Sequence, residues 1–240
     1  QRAIQDLETA IRLDPDSSSA YALLAVVHRD LEEFDLGYQV FTQVIQLRPQ
    51  DPMAYYHRGT FSISLGRYQE ALQDFDQAIS LDPVLDLAYA YRGHTHGLLG
   101  QTQQAIQDLE QALVLHPSRT TAYRFRAIVN SELGLYDQAE DDYSQVILHT
   151  PEDPEAYYQR GSFFSNVGQP NSAISDYDEA IRLDPGYLLA YIGRADAHRE
   201  DRNYVKAIQD YDSAILLDPD NALLFDGRGA SYNQLGEFER

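Results

Sequence analysis

The sequence predicts an all-α fold, a solenoid of repeated helix-turn-helix hairpins, on three observations. Prolines at Pro15, Pro49, Pro83, Pro117, Pro151, Pro185 and Pro219 stand 34 residues apart without a slip. Within each period, apolar and small residues recur at spacings of three and four, the pattern of amphipathic helices. Midway between the prolines fall Gly66, Gly100, Gly134, Gly168 and Gly236, where a left-handed residue ends a first helix at least cost. A unit this short cannot bury a core alone. Stacked copies bury a continuous one and leave a long surface on which another polypeptide can be held.

Taken in order, residues 1–17 supply only a second helix. Complete units run 18–51, 52–85, 86–119, 120–153, 154–187 and 188–221, and residues 222–240 supply only a first helix. The unit 52–85 shows the internal logic. Ala54, Tyr55, Arg58 and Gly59 mark its first helix, Leu65 and Gly66 the turn, and Tyr68, Ala71, Phe75, Ala78, Ile79 and Leu81 the second helix, before Asp82 and Pro83. The proline blocks continuation of that second helix. Small residues at Gly59, Ala71 and Ala78 let helices approach, and Tyr55 and Phe75 fill the space between neighbours. Glu32 and Arg202 stand at the turn position in place of glycine; if those turns stay left-handed they are less favourable by about 1 kcal/mol. The unit 18–51 departs furthest from the others, with Leu24, Glu32, Gly37, Val40 and Thr42, which reads as drift. Both ends cut through a repeat, so the chain is expected to be a segment of a longer array. A second copy could continue Glu237, Phe238, Glu239 and Arg240 with its own Ala3 and Ile4, giving open head-to-tail chains.

Composition limits the function. The chain has 240 residues, 43% hydrophobic and 23% charged, with a net charge of -20 and Lys206 as its only lysine. Such a surface repels phosphate backbones, which argues against nucleic acid as a partner. The charge reads first as a solvated surface and second as a docking surface for basic ligands. No apolar run approaches a membrane span and no signal-peptide pattern opens the chain. Absence of cysteine removes disulfides and thiolate metal sites. The compartment stays open, the cytoplasm being preferred for a soluble chain.

The repeat resembles the tetratricopeptide repeat family. Position 4 is aromatic throughout, from Tyr21, Tyr55, Tyr89 and Tyr123 to Tyr157, Tyr191 and Phe225. Position 20 is Ala71, Ala105, Ala139, Ala173 and Ala207, with Gly37 as the exception, and proline closes every unit at position 32. The resemblance implies a right-handed superhelix whose inner wall is formed by the first helices, and an activity of binding peptides or other proteins without a cofactor. Two specialised grooves of the family are missing here. The carboxylate clamp would need Lys and Asn at positions 5 and 9, where this chain has Ala22 and Val26, Tyr56 and Thr60, Ala90 and His94, or Arg124 and Ile128. The asparagine ladder is absent because Asn130, Asn166 and Asn233 occupy different positions.

Position 7 carries an unexpected charge: Arg58, Arg92, Arg126, Arg160, Arg194 and Arg228. In an antiparallel hairpin this position lies level with position 23, which carries Asp74, Asp108, Asp142, Asp176 and Asp210. In the unit 18–51 both charges vanish together, as Leu24 and Val40. In-hairpin ion pairs Arg58–Asp74, Arg92–Asp108, Arg126–Asp142, Arg160–Asp176 and Arg194–Asp210 are therefore expected, as register-fixing contacts rather than ligand sites.

Positions 2, 5, 9, 12 and 13 share one stripe of each first helix. That stripe supplies the candidate groove: Met53, Tyr56, Thr60, Leu87, His94, Arg124, Ile128, Tyr158, Asn166, Ile192, Asp196 and Arg199, flanked by Val26, Arg29, Thr121, Glu155 and Asp226. Tyr56, Arg124 and Tyr158 are the leading candidates, because Tyr and Arg concentrate binding energy. The same apolar positions could instead pack against the adjacent unit. No catalytic or metal site is expected. Asp74 and Asp76, Asp176 and Asp178, Asp210 and Asp212, and His94 and His96 are spaced two apart, so their side chains diverge by about 200° around a helix. The expected function is non-catalytic capture of a peptide or protein segment, the alternatives being a self-assembling scaffold or a regulatory segment of a larger protein. If the ion pairs form, Arg126→Leu lowers stability more than the double change with Asp142→Leu. Additive losses in denaturant titrations would refute the pairing.

Overall fold

The structure, a computed structural model, describes residues 2–236, and among these it contains helices and turns but no strand. In chain order the helices are α1 (Arg2–Leu13), α2 (Ser18–Asp30), α3 (Phe34–Leu47), α4 (Pro52–Ser64), α5 (Tyr68–Leu81), α6 (Asp86–Leu98), α7 (Thr102–Leu115), α8 (Thr120–Glu132), α9 (Tyr136–His149), α10 (Pro154–Asn166), α11 (Pro170–Leu183), α12 (Leu188–Glu200), α13 (Tyr204–Leu217) and α14 (Ala222–Leu235). Residues 237–240, on which the head-to-tail expectation falls, lie outside the described residues.

The punctuation follows from local chemistry. A residue before proline is pushed out of the helical region. Arg48, Asp82, His116, Thr150, Asp184 and Asp218 accordingly end their helices with φ between -132° and -140°. Two of these aspartates also build the turn: Asp82 Oδ1 accepts from Val84 N–H at 3.1 Å and Asp184 Oδ1 from Gly186 N–H at 2.9 Å. The next helix is capped by Asp51, Asp153 or Asn221, whose side chains accept from the N–H two residues on. Within the hairpins the chain reverses through a left-handed residue. Gly66 has φ +70°, Gly66 N–H donates to Ile63 O at 2.9 Å and Arg67 N–H to Ser62 O at 2.8 Å. Glu32 and Arg202 take the same conformation, at φ 57° and 60°, despite their side chains.

The chain divides into two compact units, Gln1–Val129 and Asn130–Arg240, with α8 at the junction. In the first unit, successive helices pack through alanines and rings: Ala71, Phe75, Ala78, Ala105, Leu109 and Ala112 are all fully buried. Gly59 is required there, since a Cβ would stand 2.7 Å from the Phe75 ring. In the second unit the same positions are Ala173, Tyr177, Ala180, Ala207, Tyr211 and Ala214, each 0–2% exposed.

Within the units the position-7 arginines make two kinds of contact. Arg58 donates from Nε and Nη2 to Asp74 at 2.9 and 2.6 Å, and Arg160 likewise to Asp176 at 2.8 and 2.7 Å. Arg92 holds Asp108 through Nε and Nη2, at 2.8 and 2.6 Å, and sends Nη1 to Asp76 of the preceding hairpin at 2.7 Å. Arg194 binds Asp210 and, through Nη1, Asp178; Arg228 reaches Asp212 and Arg160 reaches Ser144 in the same backward sense. The pairing is therefore not confined to one hairpin: each of Arg92 and Arg194 finds a carboxylate sixteen residues ahead and another sixteen behind. Divergence of the i, i+2 aspartates is what permits this, since Asp74 faces Arg58 while Asp76 faces Arg92. Burial raises the Asp74 carboxyl above the usual carboxylate range, opposed by the Arg58 hydrogen bonds. Asp142 is buried and accepts from Asn130 Nδ2 at 3.1 Å, while Arg126 stacks over Tyr123 with 5.8 Å to the ring centroid.

The hairpin α2–α3 has a packing reason for one departure read as drift. A Cβ on Gly37 would stand 2.2 Å from the Phe61 ring, so glycine is what admits that ring. Beside Leu24 and Val40, where other hairpins hold the ion pair, a cavity of about 310 Å³ is lined by Glu8, His28, Gln39 and Gln43. Relieving the two strained turns should be additive: Glu32→Gly and Arg202→Gly are each expected to raise unfolding free energy by about 1 kcal/mol in urea titrations. No gain from either would show that the side chains earn the strain back through contacts.

Candidate binding surfaces on the first helices

In the first unit the stripe on α2, α4 and α6, with Phe125 from α8, encloses a cavity of about 330 Å³. Its wall is a run of rings. Phe41 stacks on His57 at 4.8 Å, Tyr56 meets Tyr91 edge-on at 5.5 Å, Tyr91 meets Phe125 edge-on at 5.3 Å, and His94 lies flat on Phe125 at 4.0 Å. Burial pushes both His57 and His94 below the usual histidine range, so they present neutral rings at neutral pH. Thr60 turns its hydroxyl back to His57 O at 2.7 Å. Tyr56 forms floor rather than rim, being only 7% exposed. Arg29, among the lining residues, is the cation of this cavity.

The second unit builds a larger cavity of about 620 Å³ from α10, α12 and α14, with Tyr177 from α11 and Tyr204 from α13. An exchange of size shapes it. At the sixth position of their hairpins, where the first unit carries His57 and Tyr91, the second has Gly193 and Gly227. A Cβ there would stand 2.6 Å from Tyr177 Cζ and 2.5 Å from Tyr211 Cζ. The missing side chains let both tyrosines pass between first helices, so their hydroxyls reach side chains of the stripe. Tyr177 Oη lies 3.3 Å from Ser165 Oγ. Tyr211 Oη donates to Asp196 Oδ1 at 2.6 Å, and Arg199 Nη1 donates to Asp196 Oδ1 and to Tyr211 Oη, both at 3.0 Å. Burial pushes the Tyr177 and Tyr211 phenols up to about 12. Tyr158 completes one side, edge-on to Tyr187 at 5.4 Å, and Tyr187 in turn donates to Glu155.

The structure thus gathers Tyr56, Thr60 and His94 at one cavity, and Tyr158, Asn166, Ile192, Asp196 and Arg199 at the other. Met53, Leu87, Arg124 and Ile128 line neither: Met53 and Ile128 are exposed, Leu87 packs against the core beside Tyr56, and Arg124 has its Nε buried without a hydrogen-bond partner. The position-7 arginines also line neither cavity. Sequence reasoning missed Phe41, His57, Tyr91 and Phe125 in the first unit, and Ser162, Ser165, Tyr177, Glu200 and Tyr204 in the second. A signal for part of this set existed in the sixth position, where a ring in early hairpins gives way to glycine opposite a tyrosine in later ones. Among the described residues no group of three or more His, Asp or Glu is placed to hold a metal, and no helix is long and apolar enough to cross a membrane.

Models of the tetratricopeptide repeat match residues 52–83 and residues 1–52, 92–156 and 158–222. The chain belongs to the tetratricopeptide repeat family. Among solved structures it is similar to the Cut9–Hcn1 hetero-tetramer of the APC/C, at 18% identity and TM-score 0.73 over 97% of this chain and 46% of that one. A tetratricopeptide repeat protein from Parabacteroides merdae ATCC 43184 is similar at 20% identity and TM-score 0.70, over 96% and 91% of the two chains. YrrB, a tetratricopeptide repeat protein with an unusual peptide-binding site, is similar at 23% identity and TM-score 0.57, over 78% and 97%. The chain spans under half the length of the Cut9–Hcn1 chain it matches. No curated protein sequence matches it. These likenesses establish the fold alone.

The phenols give a pH signature. Because Tyr177 and Tyr211 ionise at about 12 when folded against 10.0 ordinarily, their contribution is fully present below 10 and lost as pH rises through 12. The Tyr177→Phe, Tyr211→Phe variant should lose stability less steeply across that window, as read from denaturation midpoints. An unchanged slope would place both hydroxyls in water.

Proposed function

We propose that this array is a non-catalytic receptor that holds a peptide or protein segment against the stripe of its first helices. The observation that carries the reading is the cavity of about 620 Å³ on α10, α12 and α14, where hydroxyl, amide and carboxylate groups converge beside the Tyr158 ring. Most packing on these helices falls to the alanines, rings and arginine pairs between them, with Ile192 as a stripe residue that also packs against the core, so the polar part of the stripe is free to carry recognition. Tyrosine and arginine at its floor offer large, directed contacts. Likeness to YrrB, whose site takes a peptide, agrees with this use of the fold. A protein or peptide is therefore the ligand, with nucleic acid disfavoured by the charge of -20.

Peptide-display selection on the whole chain tests the reading, with Tyr158→Ala, Ile192→Ala as counter-screen after circular dichroism shows it helical. A shared motif that the variant fails to enrich is the expected result. Equal enrichment on both proteins would overturn the groove and direct attention to assembly through other faces.

A further inference from the structure

At position 7 of several hairpins an arginine is satisfied by two groups at once, a carboxylate and the face of an aromatic ring. Arg92 binds Asp108 and lies 5.4 Å from the Tyr89 ring centroid; Arg194 binds Asp210 and lies 5.6 Å from that of Tyr191. The cavity of the second unit presents the same two groups in surplus. Asp196 and Glu200 stand one helical turn apart on α12, and both line it together with the Tyr158 and Tyr204 rings. Its one basic lining residue, Arg199, is already engaged with Asp196 and the Tyr211 hydroxyl. Glu200 is exposed and has no side-chain partner among the described residues.

We infer that this cavity accepts a basic segment of a partner protein, with an arginine side chain seated against Glu200 and Asp196 and flanked by the tyrosine rings. The inference rests on the receptor reading above and adds the chemistry of the partner. Arg199 shows how the wall receives a guanidinium, through Asp196 Oδ1 and a phenol oxygen that accepts at 3.0 Å. Arginine suits such a place because its planar fork binds carboxylate and its face stacks on rings. The field of the chain, at net charge -20, draws in a cation and repels an acidic segment. The first unit's cavity has different chemistry: neutral rings with Arg29, and no carboxylate among its lining residues.

The test uses fluorescence anisotropy on the whole chain with a short labelled peptide alternating arginine and alanine, and a counterpart in which citrulline replaces arginine. Citrulline keeps the shape and removes the charge. The arginine peptide should bind about tenfold more tightly than the citrulline one, and Glu200→Gln should weaken it by about fivefold while leaving citrulline binding unchanged. Asp141→Asn removes an exposed charge on α9 and should leave both unchanged. A loss from Asp141→Asn equal to that from Glu200→Gln would overturn the inference in favour of diffuse attraction to an acidic surface. If Tyr158→Ala weakens both peptides alike and Glu200→Gln neither, the receptor reading stands and the basic partner falls. Binding by neither peptide overturns the basic partner, and an empty display selection then overturns the receptor as well.

Discussion

The architecture depends on a guanidinium held between two hairpins. Arg92 cannot lose its proton, and its five donors lie in a rigid plane, so its surroundings must supply acceptors on more than one edge. One edge meets Asp108 with two parallel hydrogen bonds and the remaining nitrogen meets Asp76 in the hairpin before. The pairing tolerates little displacement, because moving either hairpin along the stack leaves a partly buried charge without its partner. Symmetry of sixteen residues forward and sixteen backward ties the contact to the repeat length. A change in spacing between prolines would break it on one side.

Apolar packing and the charged pairs act on that register together. Large side chains fit notches left by glycine, since a Cβ on Gly59 would stand 2.7 Å from the Phe75 ring and one on Gly93 2.9 Å from Leu109. Charged pairs contribute little net stability when partly exposed but discriminate strongly between correct and shifted arrangements. Where the pair is lost, at Leu24 and Val40, the hairpin keeps its helices but a cavity lies beside them. Packing supplies the stability there, and Gly37 with Phe61 supplies a local fit of shape.

With register held by the arginine pairs and the glycine-ring fits, and closeness by the alanines, the first-helix stripe carries chemistry that differs from unit to unit. The first unit fills the space between its helices with rings, giving a small ring-lined cavity that also carries Arg29. In the second, glycine at 193 and 227 admits whole tyrosines, and their hydroxyls organise Ser165, Asp196 and Arg199 into a polar surface. A change of size at the sixth position thereby brings tyrosine hydroxyls to the stripe of the second unit. Gly193 and Gly227 thus act on the polar surface through the tyrosines they admit.

Most of the fold was legible because its causes are local. Proline forces the residue before it out of the helix, glycine admits a left-handed turn, and three-and-four spacing marks a buried face; each acts within one hairpin, and repetition makes the pattern unmistakable. The sequence by itself determined the repeat, the helices, the turns and the family. It also made Glu32 and Arg202 conspicuous as non-glycine turn residues, and both are left-handed at φ 57° and 60°. Only the tertiary structure decided what depends on neighbours distant in the chain. The backward reach of Arg92 to Asp76, the burial of Tyr56 and the emergence of Tyr177 past Gly193 each require knowing which side chain faces which across two helices. A one-dimensional pattern specifies the face of a helix. Distances between side chains, and therefore cavities and hydrogen bonds, arise only when those faces are pressed together.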